Sequence, residues 1–309
     1  MVESFVVKFF SDSSPAVGYL GPPGTFTHQA LQIDPDLAVL PHEPYPDVES
    51  LVTAVADGRV GRGLVAWDNS VAGPVGETQD LLARARGRVY VQRDVVLPVR
   101  MCLWGRRGAQ PAEITEVVSH PHALGQCATW IRTALPGALT RPAPSTIAAL
   151  RPVAGDGSGC TAAVAPASAT APDPDVVILA RDIADEPRAE TRFMVIGPSV
   201  IASGGSCRTL LACYSGGQEP ATAPGEIALR PVFQAFSRDG IELLWLGVRP
   251  TRAALGGLCL LLECRGEPET DPSLRAALDE LAACGVRTEV LGVLAGAAAG
   301  RPRPTDAAA

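Results

Sequence analysis

Apolar and polar positions change rhythm repeatedly along the chain, and each change marks an element. The run "AVGYLG" at residues 16–21 predicts a short strand, and "PPGTFTHQAL" leads through turn residues into a helical spacing. "DVESLVTAVADGRV" predicts an amphipathic helix with an acidic start. "GRGLVAWDNS" predicts a strand over 63–67 that ends in a polar cluster, and "GETQDLLARARG" a further helix. "RVYVQRDVVLPVRMCLWG" reads as two extended strands. "ITEVVSHPHALGQCATWIRTAL" repeats the order of strand, turn at His120 and Pro121, then helix. "CTAAVAPASAT" is a helix or strand edge, "DVVILARDI" a strand, and "FMVIG" a buried strand preceded by the polar pair Thr191 and Arg192. Strands alternating with helices predict an α/β layered fold with a mostly parallel sheet.

Residues 199–206 read as a linker, and the pattern changes beyond them. "TLLACYS", "EIALRPVFQAFSRDG", "IELLWLGVRP", "LGGLCLLLEC", "DPSLRAALDELAACG" and "VRTEVLGVL" give βαββαβ over 207–295, a split-βαβ arrangement. Asp271 is placed to cap its second helix and Gly285 to end it. Residues 1–15 are an N-terminal extension, and the tail 296–309 has a low-complexity, disorder-prone composition.

Composition narrows the function classes. A formal net charge of −7 argues against nucleic acid as a partner, because phosphate binding needs a basic face. It leaves room for a small anion held by local donors. The eight cysteines include no C-x-x-C pair and no zinc-site spacing with histidine. Most lie in apolar runs and read as buried, reduced thiols of a cytoplasmic protein. No apolar run reaches the roughly 20 residues a membrane helix needs.

Three polar clusters fall just after predicted strands, where open α/β sheets bind ligands. "GPPGTFTH" carries Gly24 and Thr25 into a helix start suited to an anion; its structural alternative is a turn capped by Thr25 or Thr27. "DNSVAGPVGET" offers Asp68, Asn69 and Ser70; its alternative is an Asx-capped turn. "SHPHALGQC" offers His120 and His122, which flank a proline and share no helix face. Turn stabilisation suits His120 better than metal ligation.

In order, these pieces resemble the motifs of prephenate dehydratases. "GYLGPPGTFTHQAL" resembles G-P-x-G-T-[FY]-[ST], and "VAWDNSVAGPVGETQDLL" resembles P-[IV]-E-N-S-x-x-G-x-V-x-x-T-x-D-L-L. "VVSHPHALGQC" resembles S-H-P-Q-A-L-x-Q-C, "PSTIAAL" an S-T-x-A-A stretch, and "AETRFMVIG" N-x-T-R-F-x-[VI]-[IL]. The resemblance implies a catalytic domain over 16–198 like the two-lobed periplasmic binding proteins. One lobe covers about 16–96 and 179–198, the other about 97–178. A regulatory ACT-like (ferredoxin-like) domain over 207–295 would follow. The implied reaction turns prephenate into phenylpyruvate, carbon dioxide and water without metal or organic cofactor. Thr191 is implied as hydrogen-bond donor to the departing hydroxyl, with Arg192 fixing a carboxylate or the local backbone and Phe193 packed beneath. Asn69 and Ser70 would bind substrate, Gly24 and Thr25 would receive a carboxylate, and Thr146 and His120 would contribute from the other lobe. The protein is expected to be a homodimer or homotetramer.

The chain departs from the pattern in places. Asp68 replaces Glu, Ala66 and Trp67 replace Pro and Ile/Val, His122 replaces Gln, and Ala189 replaces an Asn that would help position Thr191. In the ACT-like part the phenylalanine-binding G-A-L appears as Ile227, Ala228 and Leu229. E-S-R-P appears as Gly247, Val248, Arg249 and Pro250, so an L-phenylalanine effector is only weakly implied. Only about fifteen residues precede "AVGYLG", so no chorismate-mutase-like domain is expected. Alternative readings are a non-aromatising prephenate decarboxylase, an arogenate dehydratase, or a non-catalytic small-anion sensor on the same fold.

Overall fold

The computed structural model describes residues 16–85, 87–201, 207–215, 229–251 and 257–295. The N-terminal extension, most of the linker, Ile227, Ala228 and the tail lie outside the described residues. Among the described residues, fifteen strands and eight α-helices form two sheets and their covering layers. The chain opens with β1 (Val17–Leu20), α1 (Phe26–Ile33), β2 (His42–Tyr45), α2 (Val48–Ala56), β3 (Arg62–Asn69), β4 (Gly73–Pro74), α3 (Gly76–Arg84) and β5 (Tyr90–Pro98). It then crosses to a second sheet with β6 (Met101–Arg106), β7 (Glu116–Ser119), α4 (Pro121–Gln126), α5 (Ala128–Ala134), β8 (Leu139–Pro142), α6 (Leu150–Gly155), β9 (Thr161–Pro166) and β10 (Val176–Ala180). It returns as β11 (Glu190–Gly197). The remainder is β12 (Cys207–Ser215), α7 (Leu229–Arg238), β13 (Leu243–Pro250), β14 (Leu258–Arg265), α8 (Pro272–Ala283) and β15 (Val286–Ala295).

The expected mostly parallel sheet is corrected to two mixed sheets. The first has the order β13-β14-β12-β15-β5-β11-β3-β1-β2, and the second β10-β6-β9-β7-β8. Only β1–β2, β1–β3 and β15–β5 run parallel in the first, and β7–β8 and β7–β9 in the second. The reason lies in the crossings. β11 enters the first sheet from the second and lies antiparallel to β3 and β5; β6 enters the second and lies antiparallel to β9. The two crossings run side by side, with the Val99 amide donating to the Ala189 carbonyl at 2.7 Å. The single helix expected after His120 is also corrected: it breaks at Cys127 into α4 and α5.

Side-chain alternation assigns the layers. On one face of the first sheet Tyr19, Leu64 and Phe193 pack with Ala30 and Leu31 of α1. On the other, Val65, Trp67, Met194 and Ile196 pack with α2 and with Leu210, Ala212, Cys259 and Leu261 of β12 and β14. The far side of β12 and β14 is covered by α7 and α8 through Leu211, Leu260, Leu262, Phe236 and Leu274. One apolar layer therefore joins the first α/β unit to the βαββαβ segment. The sheet itself is continuous at β15–β5, where Gly292 pairs with Val91. A Cβ at position 292 would collide with the Val91 carbonyl oxygen, so only glycine permits this approach.

Candidate active site

The opening turn is shaped by its own side chains. Thr25 caps α1: its hydroxyl accepts the His28 amide at 3.4 Å and donates to the Leu20 carbonyl at 3.3 Å. Gly24 has a φ of +89°, the left-handed region that favours glycine. Its amide donates to Nδ1 of His28 at 3.0 Å. His28 stacks on Tyr19 and meets His42 edge-on, and burial followed by His42 holds its pKa below the ordinary value. A Cβ on Gly24 would lie 3.4 Å from Ala169 Cα and from the Thr170 amide, so the turn abuts the loop after β9 of the second sheet. The amides of Phe26 and Thr27 have no acceptor among the described residues and remain at the helix start.

A bulge arranges the next cluster. Across β3 and β11, Arg192 pairs with Asp68 but Phe193 pairs with Ala66, which leaves Trp67 as an extra residue. The extra residue reverses the side-chain alternation of the residues after it. Asn69 therefore turns to the Phe193 face, beside Thr191, and Asp68 to the opposite face, beside Arg192. On the first face Asn69 Nδ2 donates to Thr191 Oγ1 at 2.8 Å. Asn69 Oδ1 accepts the amides of Val71 and Ala72 at 2.9 and 2.8 Å, which fixes which end of the amide is nitrogen. Its oxygen accepts from Asn69, and the O–H of Thr191 has no acceptor among the described residues. Phe193, 1% exposed, packs below. Ser70 ties down the start of β11, with its hydroxyl accepting and its amide donating to Glu190, both at 2.9 Å.

The second sheet contributes at closer range than its motif residues suggested. His120 caps α4, with Nδ1 accepting the His122 amide at 3.3 Å, and burial then His122 lower its pKa. Its observed contacts are those of a turn residue. Thr146 lies half-buried in the turn before α6 and makes no hydrogen bond among the described residues. Gln126 reaches furthest: its Nε2 donates to Asn69 Oδ1 at 3.4 Å, while its buried Oε1 has no partner among the described residues. It was not singled out from the sequence, although it is the second glutamine of the S-H-P-Q-A-L-x-Q-C pattern.

The reverse face holds a charged cluster. Arg192 Nε donates to Asp68 at 3.2 Å and its NH1 to Glu263 of β14 at 2.7 Å, with Asp94 of β5 at 3.9 Å. Arg208 of β12 donates to Glu263 at 2.6 Å and to Asp94 at 3.0 Å. Glu263 is 2% exposed and thus held by two guanidinium groups. Burial is the largest influence on Asp68 and leaves its pKa raised despite Arg192. Arg192 is thereby committed to protein carboxylates on the face away from Thr191. Arg249, on β13, donates to the buried Asp80 of α3 at 2.6 Å. Trp67, fully buried, packs on Trp245 with ring centroids 5.6 Å apart. Ala189 is 2% exposed and packs with Val99 and Met101, so the position of the missing asparagine is filled by core. No grouping of His, Cys, Asp and Glu suited to a metal ion occurs among the described residues. Among them, no helix is long and apolar enough to cross a membrane.

Two mixed sheets, with a threonine hydroxyl held by the Asn69 amide at the end of an inner strand of one and a glutamine reaching that amide from the other, make an α/β arrangement suited to an enzyme that works on a small molecule. The chain belongs to the prephenate dehydratase family, whose model matches residues 17–200. It is 32% identical over 262 residues to the prephenate dehydratase of Mycobacterium tuberculosis H37Rv, covering 81% of this chain and 78% of that one. Among solved structures, it resembles Arthrobacter aurescens prephenate dehydratase in complex with L-Phe at 28% identity and TM-score 0.79, covering 93% of both chains. GqqA, a quorum quenching acylase, shares the fold at 24% identity and TM-score 0.73, covering 91% of this chain and 98% of that one. The chain is accordingly a lyase of phenylalanine biosynthesis that converts prephenate to phenylpyruvate.

Proposed function

We propose that Thr191 is the hydrogen-bond donor to the ring hydroxyl that leaves prephenate, oriented by Asn69. The 2.8 Å Asn69–Thr191 hydrogen bond carries this reading. In the reaction the bond from the ring to its carboxylate breaks and its electron pair enters the ring. The C–O bond opposite breaks, and the hydroxyl takes up a proton and departs as water. An alcohol is a weak acid, and the Asn69 amide is no stronger a proton source, so Thr191 acts by polarising the departing oxygen while water supplies the proton. Such a donor is worth roughly 10²- to 10⁴-fold in rate. The free amides of Phe26 and Thr27 at the start of α1 suit a substrate carboxylate. Gln126 Oε1 and the Thr146 hydroxyl offer polar contacts from the second sheet. Arg192 acts on the site from behind.

The test is Thr191→Val beside Thr191→Ser, with phenylpyruvate read by the absorbance of its enol in alkali. The expected result is a loss of at least about 10²-fold in kcat for valine and partial retention for serine. A valine variant within threefold of wild type refutes the role. Prephenate consumption without phenylpyruvate would instead mark a non-aromatising decarboxylase, and comparison with arogenate defines the substrate.

The same reading extends to architecture. The orders β2-β1-β3-β11-β5 and β8-β7-β9-β6-β10 support two lobes of periplasmic-binding-protein type. The order β13-β14-β12-β15 with two helices on one side supports an ACT-like regulatory domain over 207–295. β13 ends the sheet and exposes Leu244, Leu246 and Val248 in alternation, which supports pairing with a second copy in a homodimer. L-phenylalanine is the candidate effector, following the complex of the Arthrobacter aurescens relative. Against a direct transfer of that site, Arg249 is engaged by Asp80.

A further inference from the structure

Glu263 is an anomaly in its strand. On β14, Cys259 and Leu261 face the shared apolar layer, and Glu263 is next in that alternation. It is a carboxylate at 2% exposure where its own strand's alternation has so far been apolar. An apolar residue of similar volume commonly serves stability as well as a buried ion pair or better, so the charge calls for a role in fixing an arrangement.

What it fixes lies directly behind the proposed donor. The Trp67 bulge places the Asn69–Thr191 hydrogen bond on one face of the β3–β11 pair and the Asp68–Arg192 contact on the other. The two contacts are back to back, built from adjacent residues of the same two strands. Glu263 closes the rear contact through Arg192 at 2.7 Å and is itself braced by Arg208, which reaches Asp94 of β5. A displacement of β14 therefore pulls on β11 at the residue after Thr191, and through Asp68 on β3 at the residue before Asn69.

We propose that Glu263 is a positioning residue of the dehydratase site: through Arg192 and Asp68 it sets the placement of β3 and β11, and so of Asn69 and Thr191. The proposal rests on the reading of Thr191 as donor. It makes the βαββαβ segment a working part of the catalytic unit, and a ligand that shifts β14 would act on the donor through this carboxylate.

The experiment measures kcat, KM for prephenate and the unfolding midpoint on the full chain. Glu263→Gln is expected to lower kcat about tenfold or more, as small misplacements of reacting groups do, with KM within about twofold. The double variant Glu263→Gln/Arg192→Met should be no slower than the slower single variant, because both cut one chain of contacts. Asp80→Asn breaks a buried ion pair to the C-terminal segment away from Thr191, with Arg249, and should leave kcat within about twofold. Should Glu263→Gln fail to fold, Glu263→Asp keeps the charge, draws back by one methylene and should lower kcat in the same sense. A folded Glu263 variant with wild-type kcat overturns the proposal, as does an equal loss in Asp80→Asn. Thr191→Val is assayed alongside: full activity there removes the donor reading, while the effect of Glu263 on kcat is still read independently.

Discussion

Two carboxylates of one cluster should respond oppositely to neutralisation. Asp68, Asp94 and Glu263 face Arg192 and Arg208, three negative groups against two positive. Glu263 spends each oxygen on a different guanidinium, at 2.6 and 2.7 Å. At an effective dielectric constant near 20 each such contact is worth roughly 4 kcal/mol, offset by several kcal/mol of lost hydration per ion. Glu263→Gln keeps the lost hydration of both arginines, removes their shared counter-charge and turns an NH2 group towards one of them. The expected loss is about 3–5 kcal/mol, the usual outcome of breaking a buried pair from one side. Among the described residues the Asp68 carboxylate has one ion pair, to Arg192 Nε at 3.2 Å, and is repelled by Glu263 and Asp94. Its raised pKa means that ionisation already works against the fold. Asp68→Asn retains an oxygen for Arg192 and removes the surplus charge, so it should cost less than about 1 kcal/mol or stabilise. Because the folded pKa lies above the ordinary 3.8, the wild type loses stability as pH rises from there through the raised value. The asparagine variant lacks that loss, so its relative stability improves over the same window. Urea unfolding with unchanged m-values reads both effects. Equal destabilisation by the two substitutions, or an indifferent Glu263→Gln, would refute this reading of the charge balance.

Three further outcomes are expected. Gly24→Ala forces a left-handed φ on an alanine and presses 3.4 Å contacts against Ala169 and Thr170; it should destabilise by about 1–2 kcal/mol and raise KM, as read by unfolding and initial rates. His28 is held below its ordinary pKa of 6.5, so its contribution to stability is full above 6.5 and is lost as pH falls through the depressed folded value. His28→Gln should flatten that acid-side slope, and an unchanged slope counts against it. Leu246→Glu, on the exposed face of β13, should shift sedimentation toward the monomer while sparing the fold; an unaltered profile argues for assembly elsewhere.

The elements around the candidate site were legible because each follows a local rule. Thr25 and Asp271 sit where their helices need caps, and Leu64, Val65, Trp67 and the run 193–196 lie in stretches apolar enough to call for burial. The resemblance set Asn69 and Thr191 on one side of a cleft, but it did not give their direct hydrogen bond across 122 positions. Strand order and register arise from long-range packing, and the Trp67 bulge that aims Asn69 has no signature in a single sequence. For the same reason the sequence left Arg192 open between fixing a carboxylate and fixing the local backbone, because its partners Asp68, Asp94 and Glu263 converge from three different strands. The mostly parallel sheet failed at the crossings, since hydrophobic rhythm states that a segment is a strand but not which way it runs beside its neighbour.

The pairing of Gly292 with Val91 bears on how the chain is made. Synthesis proceeds from the N-terminus, and β5 is complete some two hundred residues before β15 emerges from the ribosome. Through that interval one edge of the catalytic sheet is unpaired, and Val65 and Trp67 lack the Leu261 and Leu291 side chains that later cover them. The nascent enzyme thus presents a sticky margin until β15 is translated. Premature termination within β15 should send it to chaperones or aggregates rather than yield a smaller working dehydratase.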